Sequence, residues 1–473
     1  MLKQKLDAIV DSYKDQILSD IQKWVAVPSV AGEPEENAPF GREVRRALDT
    51  ALETAKGYGF ATRDLDGYCG EVTLCEGRQT LGMLCHLDVV PAGDGWTRDP
   101  WGGEIADGKI FGRGTMDDKG PALAALHAMR AVREAGIPMA DGVKLILGCD
   151  EETGMTDMEY YKSKLPAPDY GFSPDAEFPV INIEKGGLGL ILSEYTATEE
   201  DAEIPVFSLY AGVRPNVVPG LANSKVGYEK MGFAALKQAV DAAAEKRGFT
   251  VRVKDLGQGL AEIETEGKSA HASTPELGVN AAGMLLMLLA DVNAGGGSKQ
   301  AIRALAEKIG LEYDGKTLGI ACADEESGAL TCNLGILRFD GKNISAQLDI
   351  RYPLCADEEK MCGQAAMALS DTGLSVRREG GHTPHYVPKE HKVVKGLVKV
   401  YSEVTGKEGY AFAIGGGTYS RCMPNTVAFG LTFPGDTDLC HMPDEYMEVD
   451  KMMLSARILA RAICELAGEG EKE

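Results

Sequence analysis

QTLGMLCHLDVV (residues 79–90), PALAALHAMRAVREAG (121–136) and VKLILGCD (143–150) decide the fold class. The first and third are short, almost unbroken apolar runs, as expected of strands buried on both faces. The middle stretch carries Pro at its first turn and Gly at its end, the punctuation of a helix. Buried strand, helix, buried strand predicts an α/β layer structure with a largely parallel sheet flanked by helices.

Working outward, GEVTLCEG (70–77) adds another strand-like run, and the opening MLKQKLDAIVDSYKDQILSDIQKWVAVPSV spaces its apolar residues at helical period. From about residue 187 the texture changes. Strand-like PVFSLYAGV, LAEIETEG and ISAQLDIRYP alternate with helix-like FAALKQAVDAAAEKRG, NAAGMLLMLLADVN and DEEKMCGQAAMALS. From residue 384 the α/β pattern resumes, with VVKGLVKVYSEVTG and the final VDKMMLSARILARAICELAG as helices. One α/β domain (1–186 with 384–473) is therefore expected to carry an inserted α+β domain (187–383).

A chain of 473 residues is long enough for two cores, and 44% hydrophobic with 26% charged residues is ordinary for a globular enzyme. Lys plus Arg number 49 against 72 Asp plus Glu, a formal charge of −23. That surface repels phosphate backbones and anionic lipid, so nucleic acid and membranes are excluded as expected partners. Eleven cysteines, an odd number without a C-x-x-C pair, suit reduced thiols and a cytoplasmic location.

Chemistry-bearing residues gather where apolar runs end. His86 and Asp88 in HLD share one strand face, which lets a carboxylate support a metal-bound imidazole; a plain strand-end pair is the other reading. In GRGTMDDKG (112–120), Asp117 and Asp118 are adjacent like charges before a helix, which calls for a cation or for simple helix capping. LILGCDEETG places Asp150, Glu151 and Glu152 at a strand's carboxyl end, where open α/β sheets hold their sites. SPDAEFP adds Asp175, and DTDLCHMPDE adds His441 in a turn-rich loop. Two histidines with several carboxylates fit a mixed nitrogen and oxygen site for Zn²⁺, Mn²⁺ or Co²⁺. Cys85 and Cys440 precede the two histidines and are expected to be buried, inert thiols.

Taken in order, HLDVVPAG, GRGTMDDKGP, DEETG, SPDAEFP and CHMPDE resemble the M20 (ArgE/DapE-like) family of dinuclear metallopeptidases, and within it the PepV-type dipeptidases, also called Xaa-His dipeptidases or carnosinases. The resemblance implies two divalent ions, Zn²⁺ with Mn²⁺ or Co²⁺ as alternatives, bridged by Asp117. His86 and Asp175 would complete one site, and Glu152 and His441 the other. Glu151 would be the general base and Asp88 would orient His86. It further implies a cis peptide after Asp117.

For the insert, the resemblance implies a lid of two ferredoxin-like subdomains. His271 in GKSAHAST would stabilise the oxyanion, while Asn216 in VRPNVVPG and Arg351 in LDIRYP would hold the substrate. In IGGGTYSR, Gly416 could bring backbone close to the substrate, or simply form a tight turn. The expected activity is hydrolysis of short peptides by a monomer. An N-acyl-amino-acid deacylase and a catalytically silent peptide- or metal-binding homologue are the alternatives.

Overall fold

The structure is a computed structural model and describes residues 2–195 and 202–469. The chain forms two compact units. Unit 1 comprises residues 1–183, 385–412 and 417–473; unit 2 comprises 184–384 and 413–416.

Unit 1 is built on a mixed sheet whose path runs Ala61–Leu65, Cys69–Cys75, Gly142–Gly148, Thr80–His86, Tyr170–Ser173, Thr426–Ala428, Val180–Glu184, His385–Tyr386. The pairings from Gly142–Gly148 through Thr80–His86 and Tyr170–Ser173 to Thr426–Ala428 are parallel. Antiparallel pairs flank this centre, so the sheet is parallel in its middle and mixed as a whole. Thr80–His86 is buried at every position after the first, which is why it reads as a continuous apolar run.

Helix Lys119–Ala135 is buried on nearly all sides; its Ala- and Leu-rich sequence lets neighbours approach closely all round. It shares one core with residues of the helices Arg42–Gly57, Lys392–Thr405 and Val449–Ala467. Gly136 closes it in the left-handed conformation, at φ 69°. The opening helical stretch is divided into Leu2–Ser12 and Lys14–Val25, with Tyr13 between them.

The topology sets up the site. Three adjacent parallel strands run the same way, so their carboxyl ends deliver His86, then Glu151 and Glu152, then Asp175 to one edge of the sheet. A small separate sheet pairs Tyr446–Glu448 with Lys109–Phe111. It draws the segment after His441 beside the loop that leads to Asp117.

Among the described residues, unit 2 holds an eight-stranded sheet with every pairing antiparallel, in the order Thr250–Gly257, Leu260–Glu266, Leu221–Gly227, Val206–Ala211, Thr331–Phe339, Asn343–Tyr352, Gly186–Tyr195, Ser375–His382, and a small two-stranded sheet of Ala323–Asp324 with Gly328–Ala329. Strict alternation of buried and partly exposed residues in Asn343–Tyr352 marks a sheet with one face on the core. Helices Phe233–Arg247, Ala281–Asp291, Lys299–Lys308 and Glu358–Ala368 contribute to that core. The two expected subdomains are halves of this one sheet, joined where Val206–Ala211 pairs with Thr331–Phe339.

Candidate metal centre

His86 ends its strand fully buried. Its Nδ1 lies 2.9 Å from the backbone oxygen of Asp88. A carbonyl can only accept, so Nδ1 carries the proton and Nε2 presents a lone pair. That lone pair faces Asp117 Oδ1 at 2.9 Å and Asp175 Oδ2 at 3.5 Å, and Nε2 makes no hydrogen bond. Acceptor against acceptor in a buried place requires a cation between them, a proton or a metal ion.

His441 supplies the second imidazole from a loop in which it adopts φ 65°, a left-handed conformation unfavourable for a residue with a Cβ. Its Nε2 lies 3.0 Å from Asp117 Oδ2 and 3.2 Å from Glu152 Oε2. Asp117 thus turns one oxygen to each imidazole. The Asp117–Asp118 peptide is cis, and the Asp118 carboxylate accepts the backbone N–H of His86 at 2.9 Å. Among the described residues, His86, Glu151 and Asp175 form one group of three potential ligands, and Asp117, Glu152 and His441 another. Within each group the donor atoms lie within 4.8 Å of one another.

The electrostatics express the same crowding. Burial, together with Asp175, Glu152 and Asp117, drives the Glu151 carboxyl well above the usual carboxylate range despite nearby His86. Burial and Asp117 raise Asp175 and Glu152 as well. Asp117 goes the other way: burial would raise it, but the imidazoles of His441 and His86, at 3.0 and 2.9 Å, hold it low. His441 is raised to about 10 by Asp117 and Glu152. Carboxylates packed this closely repel one another until positive charge is added, and the donor set of imidazole nitrogens and carboxylate oxygens suits divalent zinc, manganese or cobalt. Cys85 and Cys440 do not join it as thiolates, since burial lifts both thiols well above their ordinary value.

Three further carboxylates hold the acid-rich loops by their backbone amides. Asp88 orients His86 through its carbonyl rather than chiefly through its carboxylate, whose oxygens accept the N–H groups of Glu151 at 3.3 Å and Glu152 at 3.1 Å. Asp157 accepts from Cys149 at 2.6 Å and Asp150 at 3.0 Å, and receives the Tyr419 hydroxyl. Glu445 gathers the amides of the Asp117 loop. Sequence reading missed Asp157, Tyr419 and Glu445. Asp157 falls in the first turn of a helix, where an acid is unremarkable. Glu445 belongs to the His441 motif, but no spacing rule marks an acid that binds amides.

The other expected site residues lie in unit 2 and also form a local patch. Ala272 N–H donates to Asn216 O at 3.0 Å, and His271 bridges to Val217. Ser273 N–H donates to His271 Nδ1 at 3.2 Å, which leaves the ring proton on Nε2 as a donor. Arg351 Nε and Nη2 pair with both oxygens of Asp349 at 2.6 and 2.9 Å, while Nη1 donates to Gly415 O at 3.2 Å. Within this patch the tighter packing is at Gly415. A Cβ on Gly415 would lie 2.6 Å from Ser273 Cβ, whereas one on Gly416 would meet only Ile414 Cδ1 at 3.7 Å.

The sequence pattern of peptidase family M20/M25/M40 matches residues 82–465. The chain is 35% identical over 463 residues to a putative dipeptidase, YtjP, of Bacillus subtilis (strain 168), covering 96% of this chain and 98% of that one. It is also 35% identical over 470 residues to the Beta-Ala-Xaa dipeptidase of Lactobacillus delbrueckii subsp. lactis, covering 98% of each. In fold it resembles human carnosine dipeptidase 1, with a TM-score of 0.58 at 16% identity over 98% of this chain and 99% of that one. No helix among the described residues is long and apolar enough to cross a membrane. Relatives alike over their full length, and motifs whose side chains converge in space, lead to one conclusion: this chain belongs to peptidase family M20/M25/M40 and is a peptide hydrolase.

Proposed function

We propose that the protein is a dipeptidase dependent on two divalent metal ions, with Glu151 as general base. The observation that carries this reading is Asp117, which offers one oxygen toward each of two donor groups. His86 and Asp175 would hold one ion, Glu152 and His441 the other, and Asp117 both. Two such ions lower the pKa of a shared water and polarise the scissile carbonyl.

The chain's own residues supply the remainder. Glu151, which lies with His86 and Asp175 in one close group, takes the proton of the attacking water and passes it to the leaving amine. Its backbone is fixed by Asp88, so the carboxylate need not search for its position. In unit 2, which we assign as the lid, His271 donates from Nε2 to the oxyanion of the transition state. Asn216, Gly416 and Arg351 hold the peptide. Arg351 has three of its five N–H donors on Asp349 and Gly415, which stiffens the fork that a terminal carboxylate would meet. Eleven thiols without a disulfide accord with a reducing compartment, and we assign the protein to the cytoplasm as a monomer.

The test strips the protein with a chelator, restores Zn²⁺, Mn²⁺ or Co²⁺, and compares Ala-Leu and a β-Ala-Xaa peptide with N-acetyl-Leu. Metal-restored hydrolysis of the free-amino dipeptides is expected. Faster cleavage of N-acetyl-Leu than of any dipeptide would make the protein a deacylase. Activity indifferent to chelation would remove the metals.

A further inference from the structure

Glu445 lies four residues past His441 and is completely buried. Its Oε2 accepts from Arg113 Nη1 at 2.5 Å. Its Oε1 accepts the backbone N–H groups of Gly114 at 3.0 Å, Met116 at 2.8 Å and Asp117 at 3.3 Å. Its own carbonyl accepts from Gly112 N at 2.9 Å. A carboxylate has about four lone-pair sites, and four donors converge on this one. Glu445 is therefore occupied with protein and cannot itself serve as a metal ligand.

Its connections run in one direction. The carboxylate binds the amides of Gly114, Met116 and Asp117, while its backbone belongs to the loop that begins at His441. Arg113 extends the hold through Nη2 to the carbonyl of Ala92, at 3.3 Å. The preceding residue, Asp444, repeats the tactic by accepting from the backbone amides of Thr97 and Arg98. His441 and Asp117 belong to one donor group, whereas His86 and Asp175 stand on strand ends that Glu445 does not touch.

We propose that Glu445 is the positioning residue of the second metal site, setting the separation of Asp117 and His441 without contacting ion or substrate. The proposal rests on the two-ion reading above. It assigns unequal effects to the two sites: loss of Glu445 should loosen both Asp117 and His441 on the Asp117–Glu152–His441 side, but on the other side only the shared Asp117, leaving His86 and Asp175 held by their strand ends. Outer groups that fix metal ligands commonly govern affinity by about 10–100-fold.

Glu445→Gln and Glu445→Asp test it in the full chain. The amide sets an NH₂ against Arg113 or the loop amides, and the shorter acid keeps the charge but withdraws the oxygens by one methylene. Chelator-stripped proteins are titrated with Co²⁺ by calorimetry and by visible absorbance, with dipeptide hydrolysis followed against Co²⁺ concentration. Expected is one equivalent bound within about two-fold of the original protein and the other weakened about ten-fold or more. Turnover should recover at high Co²⁺, with KM unchanged. Equal weakening of both equivalents, no weakening of either, or failure of both variants to fold by circular dichroism would overturn the proposal. Binding of fewer than two equivalents by the unaltered protein would instead refute the two-ion reading itself.

Discussion

At the residue scale, Asp117 and Glu151 differ most. Asp117 is drawn toward both imidazoles and its carboxyl stays low, while Glu151, in the same buried pocket, is pushed high. The opposite shifts arise because Asp117 sits against the imidazoles of both His441 and His86, whereas Glu151 has chiefly burial and like charges around it. Glu151 lies with His86 and Asp175 closely enough to act as a ligand, so ligand and base are competing roles for one carboxylate. Glu151→Ala separates them. A base should cost about 10²–10⁴-fold in kcat, read by dipeptide hydrolysis, with two metal equivalents retained by elemental analysis. Loss of one equivalent would make it a ligand. The proposed ligand residues could be named from the sequence because metal chemistry restricts residue type and their ordered motifs resemble those of a known family. Asp157 and Glu445 were not, because a carboxylate that binds amides leaves no trace in spacing.

At the scale of elements, the site depends on how strands end. Gly142–Gly148 finishes at a glycine because Tyr419 packs against it; a Cβ there would stand 2.1 Å from the tyrosine oxygen and 2.5 Å from two ring atoms. Tyr419 in turn donates to Asp157, which holds the amides of Cys149 and Asp150 at the start of the acidic turn. Gly148→Ala should therefore destabilise by about 1–3 kcal/mol in urea unfolding, the cost of overpacking a filled interior. It should also lower dipeptide hydrolysis under conditions where the variant remains folded, because the turn carrying Glu151 and Glu152 would move. An unchanged unfolding midpoint would show that the Tyr419 contact is slack. The strands and helices themselves were readable from period and punctuation, as in residues 79–90 and 121–136. The break at Tyr13 was not, since the apolar spacing continues across it.

For the whole molecule, an excess of acid sets the theme. The charge of −23 first suggests solubility, yet in unit 1 buried carboxylates also sit where strand ends and loops bring them together. The α/β layering of unit 1 and the α+β texture of unit 2 followed from local patterns. The continuity of the unit 2 sheet did not, because Val206–Ala211 and Thr331–Phe339 pair across a long stretch of chain and nothing local encodes which strand becomes a neighbour. The central claim is that two metal ions share Asp117. Anomalous diffraction from crystals grown with Mn²⁺ or Zn²⁺ tests it most directly. Two peaks are expected, one against His86 and Asp175, one against Glu152 and His441, both in contact with Asp117. A single peak, or peaks that do not share Asp117, would contradict it.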